Sequence, residues 1–321
     1  MSNSKPNCEI YIGIDVSKEN LDVYILEQDK HFQFSQTETG LSELVETIKP
    51  FNPTLVVLEA TGGFENNAVS ILASSNIPVA VVNPRQVRDF AKATGTLAKT
   101  DCLDAKIIAM FGKAIKPNIS ALPDETLKQI NLLVRRRAQL VSILGQEKNR
   151  FSSANGFMAK SIKKHIAWLK KELEQLDKNI NDFIKSSPIY KEKVQIFKST
   201  PGCGPVLASS LIAFMPELGK LDRKKIALLA GLAPLNNDSG KFKGKRTIRG
   251  GRENIRSILY MPTMAAIRFN PAIKEFYERL LSKGKPKKVA ITACMRKLLV
   301  TLNAMCKTKT EWSFKEQLIR A

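Results

Sequence analysis

The stretch Glu9–Leu26, EIYIGIDVSKENLDVYIL, decides the fold of the N-terminal part of this chain. Apolar residues alternate along both of its halves, which predicts two β-strands paired as a hairpin at the middle or the start of a sheet. The polar residues 17–20 form the turn between them. Asp15 stands among the apolar residues of the first strand, where a carboxylate is costly unless it has a partner. It is either a satisfied core or turn residue, or a metal ligand in a nuclease-type site.

Length and composition bound the class of protein. With 321 residues and 43% hydrophobic content, the chain is long enough for two or three domains with proper cores. The five cysteines are scattered without C-x-x-C spacing and there are only two histidines, which argues against disulfides and against structural zinc. No run of about 18 apolar residues and no signal-peptide pattern is present. We therefore expect a soluble, cytoplasmic protein that does not enter a membrane.

Charge is divided unevenly along the chain, whose formal net charge is +21. Residues 1–120 carry 11 basic against 14 acidic side chains, whereas residues 121–321 carry 40 against 16. A near-neutral first part that keeps its acids is thus followed by a polycation. This asymmetry indicates a polyanionic partner held mainly by the second part. The alternative is a basic surface that serves only solubility.

The order of elements after the hairpin predicts a mixed α/β layer. Residues 31–36 form a third strand, residues 40–49 an amphipathic helix, and residues 54–59 (TLVVLE) a strand buried on both faces. A helix through Ala73, a strand at 77–82 and a helix from Pro84 follow, and the last helix begins near Thr100. Three strands in a meander followed by strand–helix alternation are typical of an α/β fold with a mixed sheet.

Four acids fall where such a fold places a site. Asp15 lies on the first strand, and Glu59 ends the buried strand, at the carboxyl end where open α/β sheets bind ligands. Asp101 and Asp104 have i, i+3 spacing on one helix, so both face the same way. Each acid also has an ordinary alternative, such as Asp101 or Thr100 capping that helix. Jointly they suit Mg²⁺, because hard divalent ions prefer carboxylate oxygens and neutralise phosphodiester oxygens during cleavage.

The middle of the chain is predicted to be helical. Two stretches carry apolar residues at heptad spacing, one interrupted by Arg137, on either side of the break SSANG at 152–156: Leu127, Ile130, Val134, Val141 and Leu144, then Ile166, Leu169, Leu173, Leu176, Ile180 and Phe183. Such seams predict an antiparallel helical hairpin or an intermolecular coiled coil. Arg135 and Arg136 fall on an exposed face, where they either bind nucleic acid or are simply solvated.

Two motifs mark the C-terminal third, which begins after Ser187-Pro188. The turn TPGCGP at 200–205 resembles a helix-hairpin-helix turn, in which backbone N–H groups near Gly202 and Gly204 would bind phosphate. A plain Pro-Gly turn is the alternative. The segment NNDSGKFKGKRTIRGGR at 236–252 begins with a turn signal and is rich in glycine and in candidate phosphate-binding cations: Lys241, Lys243, Lys245, Arg246, Arg249 and Arg252.

Taken together, these motifs resemble those of a known family. IGIDVSKENLDV, LEATGGFE and the helix with DCLDA resemble the RuvC-like, ribonuclease-H-fold domain of the DEDD transposases, the insertion-sequence-110 family, to which the Piv invertase is related. By this resemblance the four acidic positions of the family are Asp15, Glu59, Asp101 and Asp104. The C-terminal third resembles the transposase-20 type domain of the same family, which implies that Ser239 is the nucleophile that attacks DNA.

The resemblance also implies an architecture, a reaction and partners. The architecture is an α/β RuvC-like domain (1–120), a helical coiled-coil region (121–187) and a mainly α-helical C-terminal domain (188–321). The reaction is DNA transposition that depends on Mg²⁺, with Mn²⁺ as the alternative ion, and that proceeds through a covalent serine–DNA intermediate. The partners are double-stranded donor and target DNA, a non-coding bridge RNA, and further copies of the chain, from dimer to tetramer, at the bacterial nucleoid.

Two other functions stay open on the sequence. A RuvC-like, metal-dependent, junction-resolving nuclease would use water as its nucleophile, and Ser239 would then be an ordinary loop residue. A non-catalytic nucleic-acid-binding protein would have kept the fold and lost the chemistry. The presence of all four acids argues against this last function.

Overall fold

The computed structural model describes residues 9–95, 101–120, 124–239, 242–244 and 246–313, without the side chains of residues 101, 242 and 243. The chain divides into two compact units, Met1–Leu122 and Pro123–Ala321. The charge asymmetry of the sequence follows this division, since no charged residue lies at 121 or 122. The acids and the polycationic part therefore belong to different units.

The first unit is built on a five-stranded mixed sheet. Its strands, in the spatial order β3-β2-β1-β4-β5, are β1 (Tyr11–Val16), β2 (Asn20–Ile25), β3 (Lys30–Ser35), β4 (Leu55–Glu59) and β5 (Val79–Val82). β1, β2 and β3 form an antiparallel meander, whereas β4 pairs parallel to β1 and β5 parallel to β4. The predicted mixed α/β sheet is confirmed, and β1 lies at its middle.

Helices cover both faces of this sheet: α1 (Glu38–Ile48), α2 (Glu65–Ser74), α3 (Pro84–Ala93) and α4 (Asp101–Ile115). Ile12, Ile14 and Val16 pack with α1 and α2 in one core, whereas Tyr11 and Val57 pack with α3 and α4 in another. The alternation along β1 therefore sorts its side chains between two cores rather than between a core and solvent. This arrangement makes β1 a central strand.

Short polar residues cap two helices of the first unit, α1 and α3. The hydroxyl of Thr37 accepts a hydrogen bond from the backbone N–H of Gly40 and caps α1. Asn83 caps α3 by accepting from the N–H of Arg85, and Pro84 occupies the first turn, where its missing N–H costs nothing. These caps fix where each helix leaves the sheet.

The second unit is mostly helical. Its helices are α5 (Glu125–Phe151), α6 (Gly156–Ser186), α7 (Pro188–Ser199), α8 (Pro205–Phe214), α9 (Arg223–Leu229), α10 (Glu253–Phe269), α11 (Pro271–Ser282) and α12 (Lys287–Thr308). Where the chain between α9 and α10 is described, it forms four two-residue strands: β6 (Pro234–Leu235), β7 (Asp238–Ser239), β8 (Phe242–Lys243) and β9 (Thr247–Ile248).

Helices α5 and α6 form an antiparallel hairpin within one chain. The guanidinium of Arg137 donates to both carboxylate oxygens of Asp177 at 2.6 and 3.2 Å, and nearer the turn His165 faces Glu147. Glu147 comes after Arg137 along α5, whereas its partner His165 comes before Asp177 along α6. The two helices therefore run in opposite directions. The predicted helical hairpin is present, whereas supercoiling into a coiled coil stays a prediction.

The predicted hairpin seam needs two corrections. Val141 is 44% exposed and Phe183 is 37% exposed, whereas their neighbours Leu140 and Ile184 are buried. A straight α-helix has 3.6 residues per turn rather than the 3.5 of an ideal heptad, so its buried face drifts by one residue along a long seam. Arg137 lies at this seam and is tolerated because Asp177 neutralises it.

The core of the second unit joins the open end of this hairpin to the C-terminal helices. Leu127 and Ile184 pack in the same cluster as Leu211, Leu259 and residues of α12. Among the described helices, α12 alone is long and apolar enough to cross a membrane by length and composition, but half of that stretch is buried in this core. Packing therefore accounts for its apolar character.

Candidate active site

Asp15 and Glu59 lie side by side at the carboxyl ends of adjacent parallel strands. The register of β1 and β4 pairs Gly13 with Val57 and Ile14 with Leu58, so the next position places Asp15 opposite Glu59. Both acids are partly buried, and the backbone N–H of Val16 donates to Oδ1 of Asp15 at 3.0 Å. The two carboxylates thus share one edge of the sheet, as the sequence predicted for Glu59.

Both side chains belong to the sheet face that α4 covers. Side chains alternate along a strand, so Asp15 shares the face of Gly13 rather than that of the core residue Ile14. A Cβ on Gly13 would lie 2.1 Å from the carbonyl oxygen of Ala105 and 2.4 Å from the amide nitrogen of Ala109. Only glycine allows α4 to approach this strand so closely.

Helix α4 runs antiparallel to β1 and brings its first turn to the acids. Its residues Ala105 and Ala109 pass over Gly13, whereas Gly112, later in the helix, lies near Tyr11, earlier in the strand. Asp104 precedes Ala105, so it falls at the same edge of the sheet as Asp15. Asp101 is the first residue of α4, one turn before Asp104, and its carboxylate lies outside the described side chains.

The donor set at this edge suits a hard divalent cation by its chemistry. Asp15, Glu59 and Asp104 offer carboxylate oxygens, the ligands that Mg²⁺ prefers. Among the described side chains, however, no three acidic, histidine or cysteine groups stand close enough together to hold a metal ion. The predicted metal centre, including the part given to Asp101, therefore stays a prediction.

A fifth acid, Asp22, lies beside Asp15, and no motif in the sequence points to it. The two are cross-strand partners in the β1–β2 hairpin, so their side chains share the α4 face. Asp22 is only 5% exposed, accepts a hydrogen bond from Nε2 of Gln33 at 3.2 Å and lies 3.1 Å from Nε2 of His31. The four-residue turn at 17–20 already implied this pairing, because it sets Asp15 opposite Asp22.

Glu65 fixes the loop that follows Glu59. Its Oε2 accepts hydrogen bonds from the backbone N–H of Thr61 at 3.1 Å, from the hydroxyl of Thr61 at 3.2 Å and from the N–H of Gly63 at 2.8 Å. The last residue of the motif LEATGGFE thus has a structural explanation. It ties the loop to the start of α2 immediately after Glu59.

Ser239 lies on a short strand of the second unit, β7, which pairs antiparallel with β8. It pairs with Phe242, and Asp238 pairs with Lys243. Further back the backbone N–H of Gly244 donates to the carbonyl of Asn237, where a Cβ on Gly244 would lie only 2.4 Å from that oxygen. Strands β6 and β9 close the base of the hairpin. Asp238 and Ser239, which the sequence placed in a turn, therefore form a short strand, and the Ser239 side chain is exposed.

The predicted phosphate-binding cations around Ser239 differ in what they contact. Arg246 and Arg249 are exposed. Arg252 instead donates to both carboxylate oxygens of Glu217, at 2.6 and 2.8 Å, and to the carbonyl of Phe214 at 2.6 Å. It therefore holds the base of this segment to the helical core. Lys241 and Lys245 lie outside the described residues, and only the backbone of Lys243 is described.

The turn at 200–205 joins α7 to α8, as a helix-hairpin-helix turn would. Gly202 has a φ of +96°, and a Cβ there would lie 2.7 Å from the amide nitrogen of Ala266, so this glycine is needed for packing on α10. Gly204 is exposed at the start of α8. Burial raises the pKa of the Cys203 thiol between them to about 12, which keeps it neutral. Phosphate binding by Gly202 and Gly204 stays a prediction, as it does for the exposed Arg135 and Arg136.

Comparison with known proteins identifies the family. Residues 12–154 match a model described as a transposase, of the IS110 DEDD type, and residues 194–278 match the model described as Transposase IS116/IS110/IS902 family. The chain belongs to the IS110 family of transposases. Membership in the IS110 family implies an enzyme of DNA transposition and recombination. The first match contains the four predicted acids, and the second contains Ser239.

Relatives of this IS110-family chain align over nearly its whole length. The pilin gene-inverting protein of Moraxella bovis is 28% identical over 300 residues, which cover 90% of this chain and 93% of that protein. The insertion element IS116 uncharacterized 44.8 kDa protein of Streptomyces clavuligerus is 22% identical, with coverage of 94% and 95%.

One solved structure is also similar in part. It is titled T. thermophilus RuvC in complex with Holliday junction substrate, and it aligns with 33% of this chain and 96% of its own at 13% identity. The TM-score of this alignment is 0.26.

Proposed function

We propose that this chain is the recombinase of an insertion sequence and that it breaks and rejoins DNA through an ester to Ser239. The observation that carries the proposal is the meeting of Asp15, Glu59 and the first turn of α4 at one edge of the sheet. The mixed five-stranded sheet supports a RuvC-like fold. Family membership supports DNA as the substrate.

In this proposal the first unit holds the metal. Asp15, Glu59, Asp101 and Asp104 would bind Mg²⁺, or Mn²⁺, through carboxylate oxygens. When bound, the ion would neutralise charge on the oxygens of the scissile phosphate. The chain contributes rigidity, since the acids stand on a central strand, its neighbour and the start of a packed helix.

Ser239 supplies the nucleophile. Its Oγ forms a bond to phosphorus and loses its proton, while the bond from phosphorus to the 3′ oxygen breaks and that oxygen gains a proton. The resulting 5′-phosphoseryl ester stores the broken linkage, so that the 3′-hydroxyl of another strand can reverse the step without hydrolysis. The exposed Arg246 and Arg249 would stabilise the phosphate as its charge develops.

A bridge RNA would choose the donor and target DNA. The polycationic second unit supports a large polyanionic partner, and the family resemblance supplies its kind. The test is to purify the protein with its bound nucleic acid and to sequence that nucleic acid. A defined non-coding RNA encoded beside the gene is expected. Random fragments would contradict guidance by RNA.

The chemical proposal is tested at Ser239. With a nicked suicide DNA substrate and Mg²⁺, the wild-type protein should form an SDS-stable adduct whose linked peptide contains Ser239. The variant Ser239→Ala should form no adduct and should not recombine, yet it should bind nucleic acid as the wild type does, because the Ser239 side chain is exposed.

The same experiment separates the recombinase from a RuvC-like nuclease. A hydrolytic enzyme that activates water needs no protein nucleophile. If Ser239→Ala cleaves DNA normally and leaves free 5′-phosphate ends, the chain is a nuclease. Such a result would contradict the covalent intermediate.

A further inference from the structure

A cavity of about 580 Å³ in the second unit has a strongly basic lining and includes none of the residues assigned to the proposed active site. Its walls are the start of α9, one side of α11, one face of α12 and the segment 310–313. We call it the basic cavity. Its charged lining residues are one carboxylate, Glu311, and five cations: Arg223, Lys224, Arg279, Arg296 and Lys297.

The cations of the basic cavity form no ion pairs within the described parts of the chain, although Glu275 acts on Lys297 and Asp222 on Lys224 from farther away. Elsewhere in this unit, Arg137 and Arg252 are neutralised by Asp177 and Glu217. None of the five lining cations forms an ion pair with a described carboxylate. A cluster of like charges around a concave site concentrates positive potential, and an anion that enters it relieves their repulsion.

Two of these cations crowd one aromatic ring. Nζ of Lys297 lies 4.8 Å from the ring centroid of Phe276, and Cζ of Arg279 lies 5.3 Å from it. Burial, followed by the positive charge of Arg279, lowers the pKa of Lys297. A bound phosphate would reverse the second of these effects, because it places a negative charge between the two cations.

The rest of the basic cavity is apolar. Val300, Ala304 and Met305 of α12 line it together with Trp312. The backbone N–H of Trp312 donates to the hydroxyl of Ser199 at 2.8 Å, which anchors the segment that closes this side. The volume falls within the usual range of about 300–1,000 Å³ for small-molecule sites. Cations and an apolar surface therefore line a space of nucleotide size.

We propose that the basic cavity binds one unpaired nucleotide of a nucleic acid strand, with its phosphate among the cations and its base against Trp312 and the apolar side of α12. A duplex keeps its bases stacked inside and cannot offer one to a pocket, whereas single-stranded segments present bases that stack on aromatic side chains. The inference rests on the proposed function, since it takes nucleic acid as the partner. It adds a site that recognises unpaired structure rather than the scissile phosphate.

Trp312 provides a local readout, because the chain has two tryptophans and the other, Trp168, is 49% exposed on α6. In the full-length variant Trp168→Phe, a short oligothymidine strand should quench the remaining emission. A duplex of the same length and an abasic strand should quench it much less. Free thymidine monophosphate should need a far higher concentration, which distinguishes a strand-borne nucleotide from a free one.

Two variants in the Trp168→Phe background distinguish the contribution of the apolar side of the cavity from that of its cations. Ala304→Phe keeps every cation and fills the apolar side, so it should abolish the quench and weaken single-strand binding about fivefold, the lower end for removal of base stacking. Arg296→Gln with Lys297→Met should lower the salt slope of single-strand binding by about 0.7 for each phosphate that is no longer neutralised. The matched control is Lys170→Met with Lys171→Met, which removes two exposed charges from α6.

The possible failures point to different conclusions. Oligothymidine binding without a change in Trp312 emission, or equal binding by Ala304→Phe and its parent when both show the wild-type melting temperature, would overturn the basic cavity as a nucleotide site. Quenching by the monophosphate alone would also overturn it. Absence of any binding to duplex and single strand by the wild type would instead refute the proposed function, and this inference with it.

Discussion

At Gly13 a strand and a helix approach so closely that no side chain fits between them, and this approach sets the position of Asp104 relative to Asp15. Gly13→Ala must push α4 outward against a packed core. We expect a loss of about 1–3 kcal/mol in the free energy of unfolding, measured by urea denaturation, together with a loss of strand cleavage.

The control for Gly13 is Gly145, where a Cβ would meet nothing within 4 Å. Gly145→Ala in the interior of α5 should raise stability by about 0.5–1 kcal/mol and leave cleavage unchanged. If Gly13→Ala unfolds at the wild-type urea concentration, the close approach of α4 is not required.

A substitution of Asp15 tests the proposed metal centre. Asp15→Asn keeps the size of the side chain and the acceptor for the N–H of Val16 but removes the charge that a metal ion needs. We expect strand cleavage to be abolished while thermal unfolding and nucleic-acid binding stay near wild type. Wild-type recombination by this variant in Mg²⁺, or activity of the wild type in EDTA, would be incompatible with the metal centre.

At the scale of elements, the segment from β7 to the start of α10 combines a surface role and a structural one. Arg246→Met with Arg249→Met removes two exposed cations, so duplex binding should lose about 0.9 from its salt slope for each phosphate they neutralise, with no change in stability. The slope follows from binding titrations at several salt concentrations. An unchanged slope would show that these arginines do not contact phosphate.

Arg252 should behave in the opposite way. Arg252→Met leaves Glu217 and the carbonyl of Phe214 without their donor, so it should lower the free energy of unfolding by about 2 kcal/mol. The salt slope of the folded variant should stay near wild type. Wild-type stability together with a reduced slope would place Arg252 among the residues that bind phosphate instead.

At the scale of the whole molecule, the acids and Ser239 belong to different units of one chain. We propose that the active site is shared between copies of the chain, and mixing two variants tests this. An Asp15→Asn chain and a Ser239→Ala chain are each expected to be inactive, but in a mixed assembly the intact acids of one copy can meet the intact serine of the other. Recombination should therefore reappear on mixing. If it does not, although both variants bind DNA, each chain uses its own acids and serine.

The sequence predicted what depends on local pattern and missed what depends on distant partners. Alternation in Glu9–Leu26 and the apolar run ending at Glu59 were sufficient for the mixed sheet, because strand patterns are local. Arg252 was grouped with the phosphate-binding cations because the sequence does not show which cation forms an ion pair with Glu217. The position of Asp22 beside Asp15 follows only from the register of the hairpin. The basic cavity forms only when three helices that are separate in the sequence pack together. Val141 and Phe183 were misplaced because small differences in helical pitch accumulate.

The direction of α4 has an electrostatic consequence of its own. A helix carries a dipole whose amino end is equivalent to about half a positive elementary charge, and α4 points that end at the edge of the sheet where the carboxylates gather. The peptide backbone itself thus offsets part of the repulsion among these acids before any ion arrives. We therefore expect the fold to be complete without metal, so that a chelator stops the chemistry and leaves the melting temperature of the protein almost unchanged.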